Sequence, residues 1–340
     1  QRDFARAESL YHEGIASGRE NFGERSFIVA FGYEGLADML RQQGRLDEAR
    51  EAIGKAISIY EFVLGPRHGT VAFAKTNLAM IEAASGRRGE AERLGDDAVA
   101  LARDVFGERA RQVGYPAMFT ARLKANRGEL DAAADAYEHA MDDFRAEPPS
   151  SHSNRLLRLE YAEVLIALGQ TARAAVLLDE AEAAFKAADD MATQRGAWLR
   201  TVRGELAFAQ GDQARGDAWF EQVLQETAAR KDPPGSFVPR FAAAVARTRP
   251  QRERADAVLA LLRKQELLPS RPNELNLDIE DKARLEFALG RLYLALDRPD
   301  EARLWLAAAV QLRETLDAAQ SPWLAEAQIA LAEALHTSGR

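Results

Sequence analysis

Five histidines, His12, His68, His139, His152 and His336, are the side chains best suited to holding a metal or moving a proton near neutral pH. No two of them share the H-x3-H or HExxH spacing that would bring a pair to one ion. Each reads as a surface or loop residue. The carboxylate pairs Asp96 with Asp97, Asp142 with Asp143 and Asp189 with Asp190 are adjacent, so on a helix they diverge rather than converge, and they read as solvated faces. Cysteine is absent, which removes disulfides, thiolate zinc sites and cysteine nucleophiles together. No G-x4-GK-[ST] loop is present, and there is no strand for a GxGxxG turn to follow. The expectation is a chain that is not an enzyme and uses no cofactor and no metal.

Composition narrows the remaining classes. A net charge of -8 offers no broad basic face, so direct binding of nucleic acid by this segment is not expected. No apolar run reaches the length of a membrane span, so no membrane insertion is expected. The balance of 47% hydrophobic and 29% charged residues is that of a folded chain. At 340 residues the chain exceeds the size at which one compact core keeps growing, so it needs several domains or a quasi-one-dimensional array. Arginine far outnumbers lysine and alanine is abundant, which suggests a GC-rich bacterial source. The absence of cysteine suits cytoplasm and periplasm alike, and cytoplasm is the expectation.

The elements that position side chains in this chain are written as a repeat. Gly44 begins "GRLDEA", Gly86 "GRRGEA", Gly128 "GELDAA", Gly169 "GQTARA", Gly211 "GDQARG" and Asp297 "DRPDEA", at intervals of 42, 42, 41, 42 and 86. Five residues after each anchor stand Ala49, Ala91, Ala133, Ala174, Gly216 and Ala302; twelve after stand Ala56, Ala98, Ala140, Ala181, Val223 and Ala309. Seven before stand Ala37, Ala79, Ala121, Ala162, Gly204 and Gly290. Small residues on both sides of a glycine turn let two helices pack antiparallel at close range. Larger apolar residues at helical spacing, such as Leu46, Ile53, Ile57 and Tyr60, give each helix one apolar stripe.

These columns resemble the tetratricopeptide repeat, and the 42-residue period resembles its long subclass seen in kinesin light chains. "NFGERS", "VLGPRH" and "VFGERA" recur at the same interval where one repeat should end and the next begin. Their glycines are expected to close a helix in the left-handed conformation. The resemblance implies an all-α fold, a right-handed superhelical α-solenoid of antiparallel helix pairs with about sixteen helices. Residues 1–231 are expected to hold the regular repeats. Residues 232–340 are expected to continue the same solenoid with irregular repeats, a turn at Pro250, linkers "KDPPGSF" and "LPSRPNE", and a truncated final repeat. Counting back from Gly44 reaches Arg2 and counting forward from Asp297 reaches Gly339, so the chain should open on a second helix and close on a first helix. Terminal repeats normally carry a polar cap, so the expectation is a fragment that continues at least on its N-terminal side, the alternative being a full-length protein whose end helices cap each other's neighbours.

The same resemblance assigns the concave face to the first helix of each repeat. Thirteen residues before the anchors stand Phe31, Phe73, Tyr115, Leu156, Trp198 and, for the Pro250 turn, Phe237. This ladder either lines a groove or fills the junctions between repeats. The polar groove positions are Glu34, Asp38, Arg41, Asn77, Arg122, Glu160, Glu163, Glu205, Arg240, Arg247 and Arg291, with Met80 beside Asn77 and Phe119 at the equivalent of Asn77 one repeat on. A carboxylate clamp of two lysines and two asparagines is not matched, since Gly35, Phe119, Glu160 and Val202 occupy its places. The implied function is a protein- or peptide-binding scaffold, the interaction or sensory module of a larger bacterial signalling protein linked to a kinase or transcription regulator. The alternatives are an intracellular peptide-sensing receptor and an oligomerisation device that self-associates through its end helices.

Overall fold

A computed structural model of the chain describes residues 4–145, 147–230, 237–248, 250–272, 274 and 277–338. Arg2, Gly339 and most of the "KDPPGSF" linker lie outside the described residues. The described residues form sixteen helices and no strand. The first eight are α1 (Phe4–Phe22), α2 (Phe27–Gln42), α3 (Leu46–Leu64), α4 (Gly69–Ala84), α5 (Arg88–Phe106), α6 (Arg111–Asn126), α7 (Leu130–Asp143) and α8 (His152–Ala167). The second eight are α9 (Thr171–Ala187), α10 (Gln194–Ala209), α11 (Gln213–Ala229), α12 (Phe237–Arg247), α13 (Arg252–Lys264), α14 (Ile279–Ala295), α15 (Pro299–Leu316) and α16 (Pro322–Ser338).

The turn motif works as its glycine suggests. Gly44, Gly86, Gly128, Gly169 and Gly211 all have φ between 72° and 81°, and Asp297 takes the same left-handed turn at φ 58°. At each of the six, the amide after the anchor donates five residues back: Arg45 to Leu40, Arg87 to Glu82, Glu129 to Lys124, Gln170 to Leu165, Asp212 to Ala207 and Arg298 to Tyr293. This is the Schellman closure, in which a residue free of Cβ crowding ends the helix and its last carbonyls are satisfied. An aspartate tolerates that conformation better than most residues, so the sixth copy survives without glycine.

The small-residue columns are core throughout. All eighteen positions are buried, and every alanine among them is at most 1% exposed. Where glycine replaces alanine, a neighbour has grown into the space: a Cβ on Gly204 would meet Phe220 at 2.5 Å, and one on Gly290 would strike Leu306. The irregular repeat keeps the same register, with Ala243 and Ala255 buried on either side of the Pro250 turn although α12 and α13 have only 11 and 13 residues.

Two expectations are corrected. Gly65 and Gly107 do not close their helices in the ordinary left-handed conformation: at φ 86° and ψ 153°, and φ 87° and ψ 162°, they are extended, a region essentially reserved for glycine. They redirect the chain after a last helical bond from Gly65 to Glu61 and from Gly107 to Arg103. The aspartate pairs are not all solvated faces either. Asp96 and Asp97 are exposed, but Asp143 and Asp190 are buried. Asp190 is held by Arg155 at 2.9 Å, and burial pushes the Asp143 carboxyl up. Asp143 ends α7, where adjacent residues point about 100° apart, so it enters the core while Asp142 stays half-buried; Asp190 lies past the end of α9, after a turn in which Asp189 takes φ 52° and faces water.

The chain divides into two compact units, unit 1 comprising residues 1–123 with 135–147, and unit 2 comprising residues 124–134 with 148–340. Each has its own core. In unit 1 one cluster is built on Val29, Ile53, Tyr60 and Val71, and in unit 2 on Phe220, Phe241, Leu262, Leu289 and Leu306.

Candidate functional site

In unit 1 the first helices bring the expected groove residues into one hydrogen-bonded group. Glu34 on α2 accepts from Tyr60 Oη at 2.8 Å and from Asn77 Nδ2 at 2.8 Å. Tyr115 on α6 donates toward Asn77 Oδ1 at 3.4 Å and lies 3.3 Å from Met80 Sδ. Phe73 sits beside the Phe106 and Tyr115 rings, with centroids 6.4 and 6.3 Å away. Asp38 is paired with Arg41 at 2.8 Å and accepts from Gln42 at 2.8 Å. Burial, then the Glu34 carboxylate, push the Tyr60 hydroxyl well above the phenol range. Burial raises Tyr115 as well, against the pull of Arg122 and Arg41. Both phenols therefore stay neutral donors at ordinary pH.

Asn77 thus has one amide proton committed to Glu34, which fixes the side chain rather than leaving it to swing freely. The other residues at its register, nine before the turn, are packing positions. Phe119 and Glu160 are buried, Val202 is fully buried, and a Cβ on Gly35 would meet Tyr11 at 2.5 Å. Phe119 and Glu160 are therefore not on the solvent-facing part of the expected set. Phe31 is its opposite extreme, an aromatic side chain 66% exposed. Phe73, Tyr115, Leu156 and Trp198 are half-buried and Phe237 is buried, so the ladder passes from open ring to core along the chain.

In unit 2 the inner helices meet through charge. Glu163 on α8 accepts from Trp198 Nε1 at 2.6 Å and from Arg240 at 3.1 Å, and the Arg240 guanidinium lies 4.6 Å from the centre of the Trp198 ring. Arg247 on α12 donates to Glu326 on α16 at 3.1 Å and stands 3.8 Å from Glu205 on α10. The same guanidinium lies 4.9 Å from the Trp323 ring and 5.9 Å from the Phe287 ring. Arg291 on α14 pairs with Glu333 on α16. Burial, then Glu163, push the Glu205 carboxyl up to about 7, and burial, then Asp278, do the same to Asp281.

Unit 2 also contains contacts between residues far apart in sequence, which the repeat pattern does not announce. Trp323 Nε1 donates to Ala125 O at 2.9 Å, Ala318 N to Arg127 O at 3.0 Å, and Arg284 to Asn126 at 2.7 Å. Ser321 and Pro322 fill the space where a side chain on Gly128 would stand. Gly128 therefore serves twice, ending α6 and admitting the segment before α16. The only sequence signal was "SPW", a proline-opened helix start with a nearby tryptophan. Phe287 stands ten before Asp297 and Glu326 thirteen before Gly339, inward registers by the same count that were not carried to the last two repeats, and Trp323 lies outside those registers.

Among the described residues no group of three or more histidine, aspartate or glutamate side chains could hold a metal, and no helix is long and apolar enough to cross a membrane.

A family model described as the MalT-like TPR region matches residues 1–180, and one for the tetratricopeptide repeat matches residues 197–222. No curated protein sequence matches the chain. Among solved structures, a putative kinesin light chain of nearly identical TPR-like repeats from Podosopora anserina is 21% identical, with TM-score 0.50 over 58% of this chain and 94% of its own. BtubC (BKLC) from P. vanneervenii is 15% identical, with TM-score 0.58 over 69% of this chain and 96% of its own. The Rap conjugation gene regulator of plasmid pLS20, solved with the Phr* peptide, is 11% identical, with TM-score 0.58 over 86% of this chain and 78% of its own. At these identities the likeness is one of fold: helical repeats of the tetratricopeptide type.

Proposed function

The chain belongs to the MalT-like TPR family, and from that premise we propose that it is a non-catalytic scaffold whose first helices bind a peptide or an extended protein segment. The observation that carries the reading is the inner-face register of unit 1. There a 66%-exposed Phe31 precedes half-buried Phe73 and Tyr115, alongside Glu34, Asp38, Asn77, Met80 and Arg122. Exposed rings flanked by fixed polar groups are what an extended ligand needs for anchoring and orientation. The Rap regulator that shares this fold was solved with a peptide, which supports the same kind of ligand here. The wider setting we propose is a larger bacterial signalling protein, with this array as its interaction or sensory module in the cytoplasm. Fold alone does not bring function with it, so the test must be direct. A ligand that binds only the native state raises the melting transition, by an amount that grows with its concentration. Melting the chain against a randomised peptide pool, and finding no shift and no retention of any peptide, would remove the reading.

A second reading, self-association through the end helices, has its own observation. Gly14 and Ala332 occupy small-residue positions that are buried in the other repeats, yet both are exposed, and a Cβ on Gly14 would meet nothing within 4 Å. Leu10 and Phe22 on α1, and Ile329 and Leu335 on α16, are exposed along the same helices. A second copy that lays a helix on either face would cover these residues. Light scattering over a hundredfold range of concentration, about the span needed to see a micromolar equilibrium, eliminates this reading if the mass stays monomeric.

A further inference from the structure

The inner face of unit 2 carries an unbalanced charge at one residue. Around Glu205 stand two further carboxylates, Glu163 and Glu326, and two guanidiniums, Arg240 and Arg247. Both oxygens of Glu163 are served, one by Trp198 Nε1 at 2.6 Å and one by Arg240 at 3.1 Å. Glu326 accepts from Arg247 Nε at 3.1 Å. Among the described residues Glu205 has only Arg247 Nη1 at 3.8 Å, which is an ion pair too long for a hydrogen bond. Its side chain is 19% exposed, so it is withdrawn from bulk water yet still reachable.

Such a carboxylate is costly. A partly desolvated charge without hydrogen-bond donors loses its hydration and gains little in return. The two arginines are already engaged, Arg240 with Glu163 and Arg247 with Glu326, and each is also seated over rings, Arg240 over Trp198 and Arg247 over Trp323 and Phe287. What would balance the site is one more positive charge bearing N–H donors. A divalent ion is a poor fit, because no group of three or more ligating side chains stands together among the described residues.

We infer that Glu205 marks a subsite for the guanidinium or ammonium of a peptide side chain, held against Glu205 on the aromatic-lined inner face of unit 2. The inference rests on the groove reading above and adds a charge requirement to it. A guanidinium fits better than an ammonium, since its planar fork can serve both carboxylate oxygens and stack on a ring. The groups facing Glu205 are Glu163 from α8, Arg240 and Arg247 from α12, and Glu326 from α16. Cation binding should weaken as the pH falls from about 8 to about 6, because burial and Glu163 hold this carboxyl near neutrality in its titration.

The experiment uses the full chain, immobilised, and two peptide pools that are random except at one position, arginine in one pool and neutral, isosteric citrulline in the other. Wild type is expected to retain the arginine pool roughly tenfold better, the factor that one charge-assisted bond of about 1.4 kcal/mol supplies. Glu205→Gln should bring the two pools level while melting no lower than wild type, because the change removes an uncompensated charge. Glu205→Met, neutral and of similar volume, is the second variant and should behave alike. Equal retention of both pools by wild type overturns the subsite and leaves the groove reading standing. A preference that persists in both variants overturns the assignment to Glu205. Retention of neither pool fails the groove reading itself, and the subsite with it.

Discussion

Phe31 in unit 1 and Trp198 in unit 2 stand at the same place in the repeat, thirteen residues before the turn, yet they are treated differently. Phe31 is 66% exposed with no ring partner among the described contacts. Trp198 is half-buried, donates its indole proton to Glu163, and is covered by Arg240. The polar residues around them differ in the same sense. Unit 1 ties one carboxylate, Glu34, to two neutral donors, Tyr60 and Asn77. Unit 2 sets glutamates against arginines that reach past the adjacent repeat, as from Arg240 to Glu163 and from Arg247 to Glu326. A repeat prescribes which positions face inward; it does not prescribe how those positions are satisfied. Neutral donors leave Glu34 a carboxylate that a ligand can meet without breaking an ion pair, whereas a charged network must be matched charge for charge.

The sharpest way to break this comparison is to remove one partner of a buried pair. Asp190→Ala should destabilise unit 2 by about 3 to 5 kcal/mol, since it leaves the Arg155 guanidinium buried without its carboxylate. Urea unfolding followed by a probe in unit 2 measures it, and a loss below 1 kcal/mol, about the level of an exposed pair, would mean that charge does not organise this region.

Next in size is the pH dependence. Glu205 and Asp281 have folded-state values of about 7, raised above the ordinary carboxylate range, so the folded protein holds protons that the unfolded chain has released. Their contribution is fully present below about pH 4 and is lost as the pH rises through about 7. Unit 2 should therefore be less stable at about pH 8 than at about pH 5, by at least about 2 kcal/mol, with Glu205→Gln removing part of the slope. In unit 1 the one described carboxylate raised in this way is Asp143, so its slope should be shallower. Parallel slopes in the two units would refute the contrast.

Asn77→Ala should cost about 1 kcal/mol, the worth of a partly buried hydrogen bond, through release of Glu34 and Tyr115. Thermal melting checks it. The smallest expected effect is that of Phe31→Ala, within about 0.5 kcal/mol because the ring is exposed. If the groove reading holds, the same substitution should nonetheless reduce peptide retention several-fold, a split between stability and binding that a core residue would not show.

Much of this arrangement was readable from residue types. The six turns were legible because a glycine or aspartate at a left-handed position, followed by a run with an alanine five residues on, has few other uses. The eighteen small residues were legible because helix crossings exclude side chains by contact at short range, and that constraint repeats with the chain. The candidate site was legible only as a list of inward positions. Phe119 and Glu160 share the register of Asn77 but are buried, because local packing filled that position in their repeats and left it half-open in one. The burial of Asp143 and Asp190 escaped notice for a similar reason, since adjacency tells which pairs diverge but not which member turns inward.

The amino-acid sequence by itself determined the helix pairs, their period, their turns and the small-residue crossings, all set by contacts within one or two repeats. The tertiary structure alone decided which inward residues meet across several repeats. The Trp323 bond to Ala125, the Arg284 bond to Asn126 and the charge left over at Glu205 depend on the accumulated rotation from repeat to repeat within unit 2. Small rotations add along a solenoid, so residues well over a hundred positions apart meet or miss by the sum of many local angles, which no single repeat encodes.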